Sequence, residues 1–365
     1  MKRIMINEIC KVYDGPHATP NKTEYGPIYL GIDAITEDGM LDATQFAHLS
    51  EEDYIKWTKR VIPQENDIVF SYEATLGRYT MIPKGFHGCL GRRLAIIRNV
   101  SNKINTRWLY YYFRSPEWTS FIRNQTVKGS TVDRISVEDF PKYTVPLIPI
   151  GKQNRIVDVL DKIDRRIANN KKINDYLCSQ IQLLFSYLFN LSSIPKSWTK
   201  GVLTDIANIT MGQSPSGDSY NILGNGYPFY QGSTDFGAIF PTIRVYTNKP
   251  SRFASVFDTL LSVRAPVGSL NIAYENCCIG RGLASVHGKY NNNTFVRYLL
   301  KNNRWYFDNI NNSGTTFGSI TKNYLFDMPI VIPSSKLVAT FEQKANLMEQ
   351  QIYKNEQQTR ELQNL

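Results

Sequence analysis

The sequence predicts an α+β protein, mixed α/β in its use of helix and strand, built from two repeated modules that are each followed by a long helix. Three observations predict it. Phrases of the first half recur in order in the second, such as "GSTVDRIS" at 129–136 and "GTTFGSIT" at 314–321. Apolar segments such as "DIVFS", "LAIIRN" and "TLLSV" are short and mostly bounded by Gly, Pro or Asn, as strands are. Two further stretches carry apolar residues at heptad spacing.

The repeat extends well beyond the first phrase. "GPIYLG" at 26–31 matches "YPFYQG" at 227–232, and "NDIVFSYEATLG" at 66–77 matches "FDTLLSVRAPVG" at 257–268. "CLGRRLAII" at 89–97 matches "CIGRGLASV" at 278–286. "TRWLYYYFRS" at 106–115 matches "TFVRYLLKNN" at 294–303, both helix-like with the Thr as N-cap, and "PLIPI" matches "IVIPS". From the pair at 26–31 to the pair opening at 129 the offset falls from 201 to 185 without reversing, as small loop deletions would produce. The modules are expected at 1–150 and 191–334.

A helix is expected at 151–190. Ile156, Ile163, Leu177 and Leu184 take one seam position, Leu160, Ile167, Ile181 and Leu188 the other, with Asn170 and Asn174 interrupting. A second helix, 335–365, repeats the pattern with Phe341, Met348 and Leu362 on one position and Ala345 and Ile352 on the other; Asn355 falls on Asn170 at the offset of 185. An apolar stripe avoids water, so each helix has a natural partner in the other, in a coiled coil, or packs on its own module. A buried Asn costs stability and fixes register; alternatively "ANNKK" marks a local bend with both Asn solvated.

With 365 residues the chain suits two domains, and no segment has the apolar length of a membrane helix. The start, "MKRIMINEICKVYDG", turns polar too soon for a secretory signal. Five cysteines (Cys10, Cys89, Cys178, Cys277, Cys278) without a C-x-x-C pair argue against a disulfide framework or a zinc knuckle and fit a reduced, cytoplasmic setting. The net charge of +10 is uneven: between residues 73 and 134 eleven Arg and Lys face only Glu73, Glu117 and Asp133. Basic windows interleaved with aromatics such as Tyr79, Trp108 and Tyr110 suit a polyanion, although a solvated basic surface accounts for charge alone.

Motifs for catalysis are missing. There is no phosphate-binding G-x-x-x-x-G-K-[ST], no H-E-x-x-H and no G-x-S-x-G, and the absence of any Pro-Pro excludes the methyltransferase tetrad that grips a flipped adenine. His17, His48, His87 and His287 lie far apart in sequence and suggest no metal site. Asp67 with Glu73, or Asp258 with Glu275, read better as solvated or strand-capping carboxylates than as nuclease ligands. The chain reads as a binder.

Two weakly similar modules, each followed by a heptad helix, with "IPIGKQNRIVDVLDKID" opening the first helix and "LLSVRAPVG…CIGRGLA" in the second module, resemble the specificity subunit of type I restriction–modification enzymes. The resemblance covers essentially the whole chain; the second helix departs from it by lacking the Gln-Lys-Arg-like opening that "GKQNRIVDVL" approximates. It implies two target recognition domains related by pseudo-two-fold symmetry, each contacting half of a split, asymmetric site on double-stranded DNA. The helices would lie antiparallel as a spacer and dock two methyltransferase subunits and, through them, two ATP-driven restriction subunits. S-adenosylmethionine, ATP and Mg²⁺ would be bound by those partners, with no cofactor, metal, membrane or catalytic role in this chain. The seam from Ile156 to Leu188 spans about 50 Å at ~1.5 Å per residue, enough to face groove segments one DNA turn apart, ~34 Å.

Phosphate grip favours Arg, Lys and hydroxyls in Gly-flanked loops. That points to Arg78, Arg92, Arg93, Lys128, Ser130, Thr131 and Arg134, with Arg264, Arg281, Thr315 and Thr316 in the second module. Base-edge readout adds Gln231 and Asn271. Rival readings are a coiled-coil adaptor whose modules bind protein or RNA, and a self-sufficient nuclease or methyltransferase.

Overall fold

The computed structural model describes residues 2–126, 133–189, 195–311 and 318–364. The chain divides into two compact units, Met1–Asp164 and Arg165–Leu365. Both mix helix and sheet, as the α+β expectation requires. The division falls inside one helix, Ile150–Leu188, because its N-terminal part packs on the first unit and its C-terminal part on the second. None of the described helices is long and apolar enough to cross a membrane.

The first unit is organised by a four-stranded antiparallel sheet in the order Cys10–Asp14, Leu94–Asn99, Ile68–Ser71, Tyr79–Met81. Its central strands are covered on both faces, so they read as continuous apolar runs. Ile68, Phe70, Ala95 and Ile97 face a core holding Trp108, Phe113, Trp118 and Phe140. Val69, Leu94 and Ile96 face the other way, onto Leu30 and Leu90. Those two leucines end strands Thr23–Leu30 and Gly88–Leu90, which pair in parallel. Strand Arg3–Met5 pairs with Thr144–Pro146 and closes the unit.

Helix Thr106–Phe113 is capped by Asn105, whose side chain accepts from the N–H groups of Arg107 and Trp108. The expected Thr cap is therefore off by one residue: the Thr106 hydroxyl accepts from Asn99 instead, at 3.0 Å. The long helix docks on this unit through Gln153, which is completely buried. Its carbonyl accepts the Asn105 N–H at 2.7 Å, and its amide donates to the carbonyls of Lys103 (3.0 Å) and Ile148 (2.8 Å). Val157 is buried beside it, whereas Ile156, expected on the seam, is 37% exposed. The seam here is rotated by one residue, because the side chain that meets the module core is Val157. Leu160 and Ile163 are half-buried.

The second unit has a sheet of the same order: Ala207–Met211, Leu283–Gly288, Thr259–Ser262, Leu270–Ile272. Strand Tyr227–Tyr230 again pairs in parallel with Cys277–Ile279, and Thr199–Val202 with Pro329–Ile332 closes the unit. Helix Asn293–Asn302 starts one residue before Thr294, so Thr294 is not its cap; its hydroxyl donates to Glu349 at 3.1 Å.

Within this unit the helix ending at Leu188 runs antiparallel to helix Ser335–Gln363. Asn174 and Asn355 bond side chain to side chain at 2.8 Å, and Asn170 donates to the Asn355 carbonyl at 3.2 Å and to Thr359 at 3.3 Å. All three Asn are buried, which excludes the solvated-bend alternative. Ile181, Phe341, Ala345 and Ile352 are buried in the apolar part of the seam, with Ile167, Leu177, Leu184, Leu188, Met348 and Leu362 half-buried. Phe185 and Phe189, outside the strict heptad, are buried against Phe341 and Phe295.

The C-terminal helix lacks a Gln clasp and docks through buried carboxylates. Glu349 pairs with Arg297, and Glu342 accepts the Phe295 N–H at 2.6 Å. Burial pushes Glu342 up to about 7, against the pull of that N–H.

Gln153→Ala is expected to destabilise the first unit by about 1–3 kcal/mol, because an N–H and two carbonyls lose their partner; a lowered urea midpoint at unchanged slope is the measurement. For Glu342 the folded value lies above its ordinary 4.5. Its contribution is thus whole below pH 4.5 and lost as pH rises through about 7. Glu342→Gln keeps the acceptor for Phe295, so its thermal midpoint is expected to gain on wild type between pH 5 and pH 8, and parallel profiles would contradict the assignment.

Candidate nucleic-acid interface

In the first unit the turn after Ile68–Ser71 is tied down by Ser71. Its N–H donates to the Arg78 carbonyl and its carbonyl accepts the Gly77 N–H, both at 3.0 Å. Its hydroxyl accepts the Arg78 N–H at 3.0 Å and donates to the Thr75 carbonyl. Gly77 has φ +72°, a left-handed conformation that favours Gly.

Tyr72 stitches this turn to two others. Its N–H donates to the Arg93 carbonyl at 3.1 Å and its carbonyl accepts the Ile135 N–H at 2.8 Å. Residues 72–77, 91–93 and 133–135 thereby form one surface. Glu73 sits among its arginines: the Glu73 backbone bridges to Arg134, and its carboxylate takes Arg93 Nε at 2.8 Å. Arg92 is exposed, with its backbone N–H held by the Tyr29 hydroxyl at 3.1 Å.

The second unit builds the same frame. Ser262 exchanges backbone bonds with Gly268 and Ser269 at 2.9 Å, and its hydroxyl donates to the Pro266 carbonyl at 2.6 Å. Val263 donates to the Gly282 carbonyl at 2.9 Å and accepts from Ile320 at 3.0 Å. Arg264 bridges to Ser319, and Arg264, Arg281 and Gln231 are exposed on the joined turns. The Gln231 N–H is fixed by buried Asp235 at 2.6 Å. Gly282 stands where the first unit has Arg93, because a Cβ there would lie 2.4 Å from the Gln231 carbonyl oxygen.

Arg92, Arg93, Arg134, Gln231, Arg264 and Arg281 are thus brought onto equivalent turns of their own unit. Two candidates are not. Arg78 turns its guanidinium inward to the Ile35 carbonyl at 2.7 Å, where it braces a loop. Asn271 is 3% exposed and donates to the Gly237 carbonyl at 2.9 Å, so it lies inside the fold and presents no edge to a base. Lys128, Ser130, Thr131, Thr315 and Thr316 lie outside the described residues.

Ser71, Ser262 and Tyr29 were missed as organisers of the site. The serines occupy the same place in two matched phrases, a signal available in the repeat itself; the Tyr29 contact, 63 residues away from Arg92, had none. Asp67 and Asp258 are buried and engaged: Asp67 by both forks of Arg98 (2.8 and 2.7 Å), Asp258 by His287 and Ser285, each at 2.6 Å. Burial pushes the thiols of Cys10 and Cys89 up to about 12, which keeps them protonated. Among the described residues no group of His, Cys, Asp or Glu is arranged to hold a metal. Fixed backbone turns carrying exposed arginines such as Arg92 and Arg281 can grip phosphate and sort bases at their edges.

A family model for the type I restriction modification DNA specificity domain matches residues 2–177. A putative type I restriction enzyme specificity subunit of Methanocaldococcus jannaschii is 30% identical over 352 residues, 88% of this chain and 80% of the relative. A putative specificity subunit of Haemophilus influenzae is 25% identical over 120 residues, 32% of this chain and 29% of its own. The crystal structure of the type I restriction-modification S subunit from M. genitalium shares the fold, with a TM-score of 0.55 at 14% identity over 99% of this chain and 92% of that one.

Arg92→Ala and Arg281→Ala are expected to leave stability within about 0.5 kcal/mol, and each to weaken duplex binding while lowering the salt slope by about 1. Arg78→Ala is expected to do the reverse, lowering the thermal midpoint while leaving the salt slope unchanged.

Proposed function

The chain belongs to the specificity subunits of type I restriction enzymes, and on that premise we propose that its modules, 1–150 and 191–334, are two target recognition domains contacting unequal halves of a split site on double-stranded DNA. The observation that carries this reading is the repeated frame of Ser-tied turns, which offers Arg92 with Arg93 and Arg134 in one unit and Arg281 with Arg264 and Gln231 in the other. Unequal side chains on like frames suit unequal half-sites. Lys128, Ser130, Thr131, Thr315 and Thr316 complete the proposed contact set.

The helices 151–190 and 335–365 act as an antiparallel coiled-coil spacer that relates the modules by a pseudo-two-fold axis. They also dock two methyltransferase subunits and, through them, two restriction subunits. The chain itself is non-catalytic and cytoplasmic. S-adenosylmethionine, ATP and Mg²⁺ belong to the partners, in keeping with a sequence that lacks their binding motifs. The protein- or RNA-binding adaptor finds no support in the similar proteins.

Exchanging residues 1–150 for the module of another specificity subunit is expected to change one half of the methylated motif and leave the other intact, as read by mapping methylated adenines. A change in both halves, or in neither, would defeat the two-reader model.

A further inference from the structure

The second unit contains a cavity of about 230 Å³ lined by none of the residues in the proposed contact set. We propose that it binds a small aromatic anion that also carries a hydrogen-bond donor.

Three observations converge on that class. Ile239, Leu270, Ile272 and Ile352 give the cavity apolar walls. A cavity of roughly 150 Å³ lined by aliphatic side chains accepts benzene, so 230 Å³ leaves room for a ring with a substituent at each end. The charge is lopsided. Arg297, Lys301 and Arg304 line the cavity against one carboxylate, Glu349, which is already paired with buried Arg297. Arg304 leans on Asp308 at 3.5 Å. Lys301 has no carboxylate partner among the described residues, and its ammonium lies 5.3 Å from the centre of the Tyr298 ring. An anion at Lys301 would be compensated there.

The third observation is Asn271. It lines the cavity, is 3% exposed and spends its N–H on the Gly237 carbonyl, while its Oδ1 is buried without a hydrogen-bond partner. Buried acceptors are nearly always satisfied, so this oxygen calls for an N–H or O–H. Gly268 and Leu270, the stem of the Arg264 turn, and Ile352 of the C-terminal helix line the same cavity.

4-Hydroxybenzoate titrated into the full chain, followed by calorimetry and by saturation transfer to its ring protons, is expected to show saturable one-to-one binding. Lys301→Met should weaken it about tenfold, the scale of one lost charge-assisted contact. Ile239→Trp, which fills the cavity from a half-buried wall, should abolish it, and 4-hydroxybenzyl alcohol, which lacks the anion, should bind wild type no better than 4-hydroxybenzoate binds Lys301→Met. No saturable binding to wild type, meaning that water alone fills the cavity, overturns the proposal. Binding that either substitution leaves unchanged overturns it equally.

Discussion

Each unit depends on one strand pairing, Ile68–Ser71 against Leu94–Asn99 in the first and Thr259–Ser262 against Leu283–Gly288 in the second. The register sets Ser71 opposite Leu94 and Ser262 opposite Leu283. That places the turn leaving one strand beside the turn entering the other, so the arginine-bearing loops adjoin although about 20 residues separate them. A slip by one residue would turn Ile68 and Phe70 out of one core and Val69 out of the other. Two-sided burial of these strands therefore protects the geometry of the turns.

On this common strand order the units differ where difference is cheap. Asp67 is held by a guanidinium that is always charged, while its counterpart Asp258 is held by His287 and Ser285. Arg93 gives way to Gly282, and the space is taken by the Gln231 carbonyl. The scaffold contacts persist because removing one strands a buried polar group. The exposed positions are free to differ, because surface substitutions away from buried contacts cost little stability.

The helices combine two kinds of contact. Ile181, Phe185, Phe189, Phe341 and Ile352 contribute burial, which is strong but indifferent to exact alignment. The layer of Asn170, Asn174, Asn355 and Thr359 contributes direction, since its hydrogen bonds form in one alignment only. Replacing such a layer by leucines would add burial while releasing the register. The modules are clasped to their helices by different chemistry, Gln153 in one and the Glu342–Glu349 pair in the other, which is why the opening of the first helix has no echo in the second.

The mixed helix and strand content and the two long helices were legible in the sequence, because each is a property of local pattern. Arg92 and Arg281 could be singled out in the same way, from Gly-flanked loops at matched places. What only the tertiary structure decided was the fate of side chains whose partners are remote. Arg78 and Asn271 look like their neighbours on paper yet face inward, and Val157 displaces Ile156 from the packed face. Hydrogen-bond partners and burial are set by which distant segments meet, a quantity that no window along the chain contains.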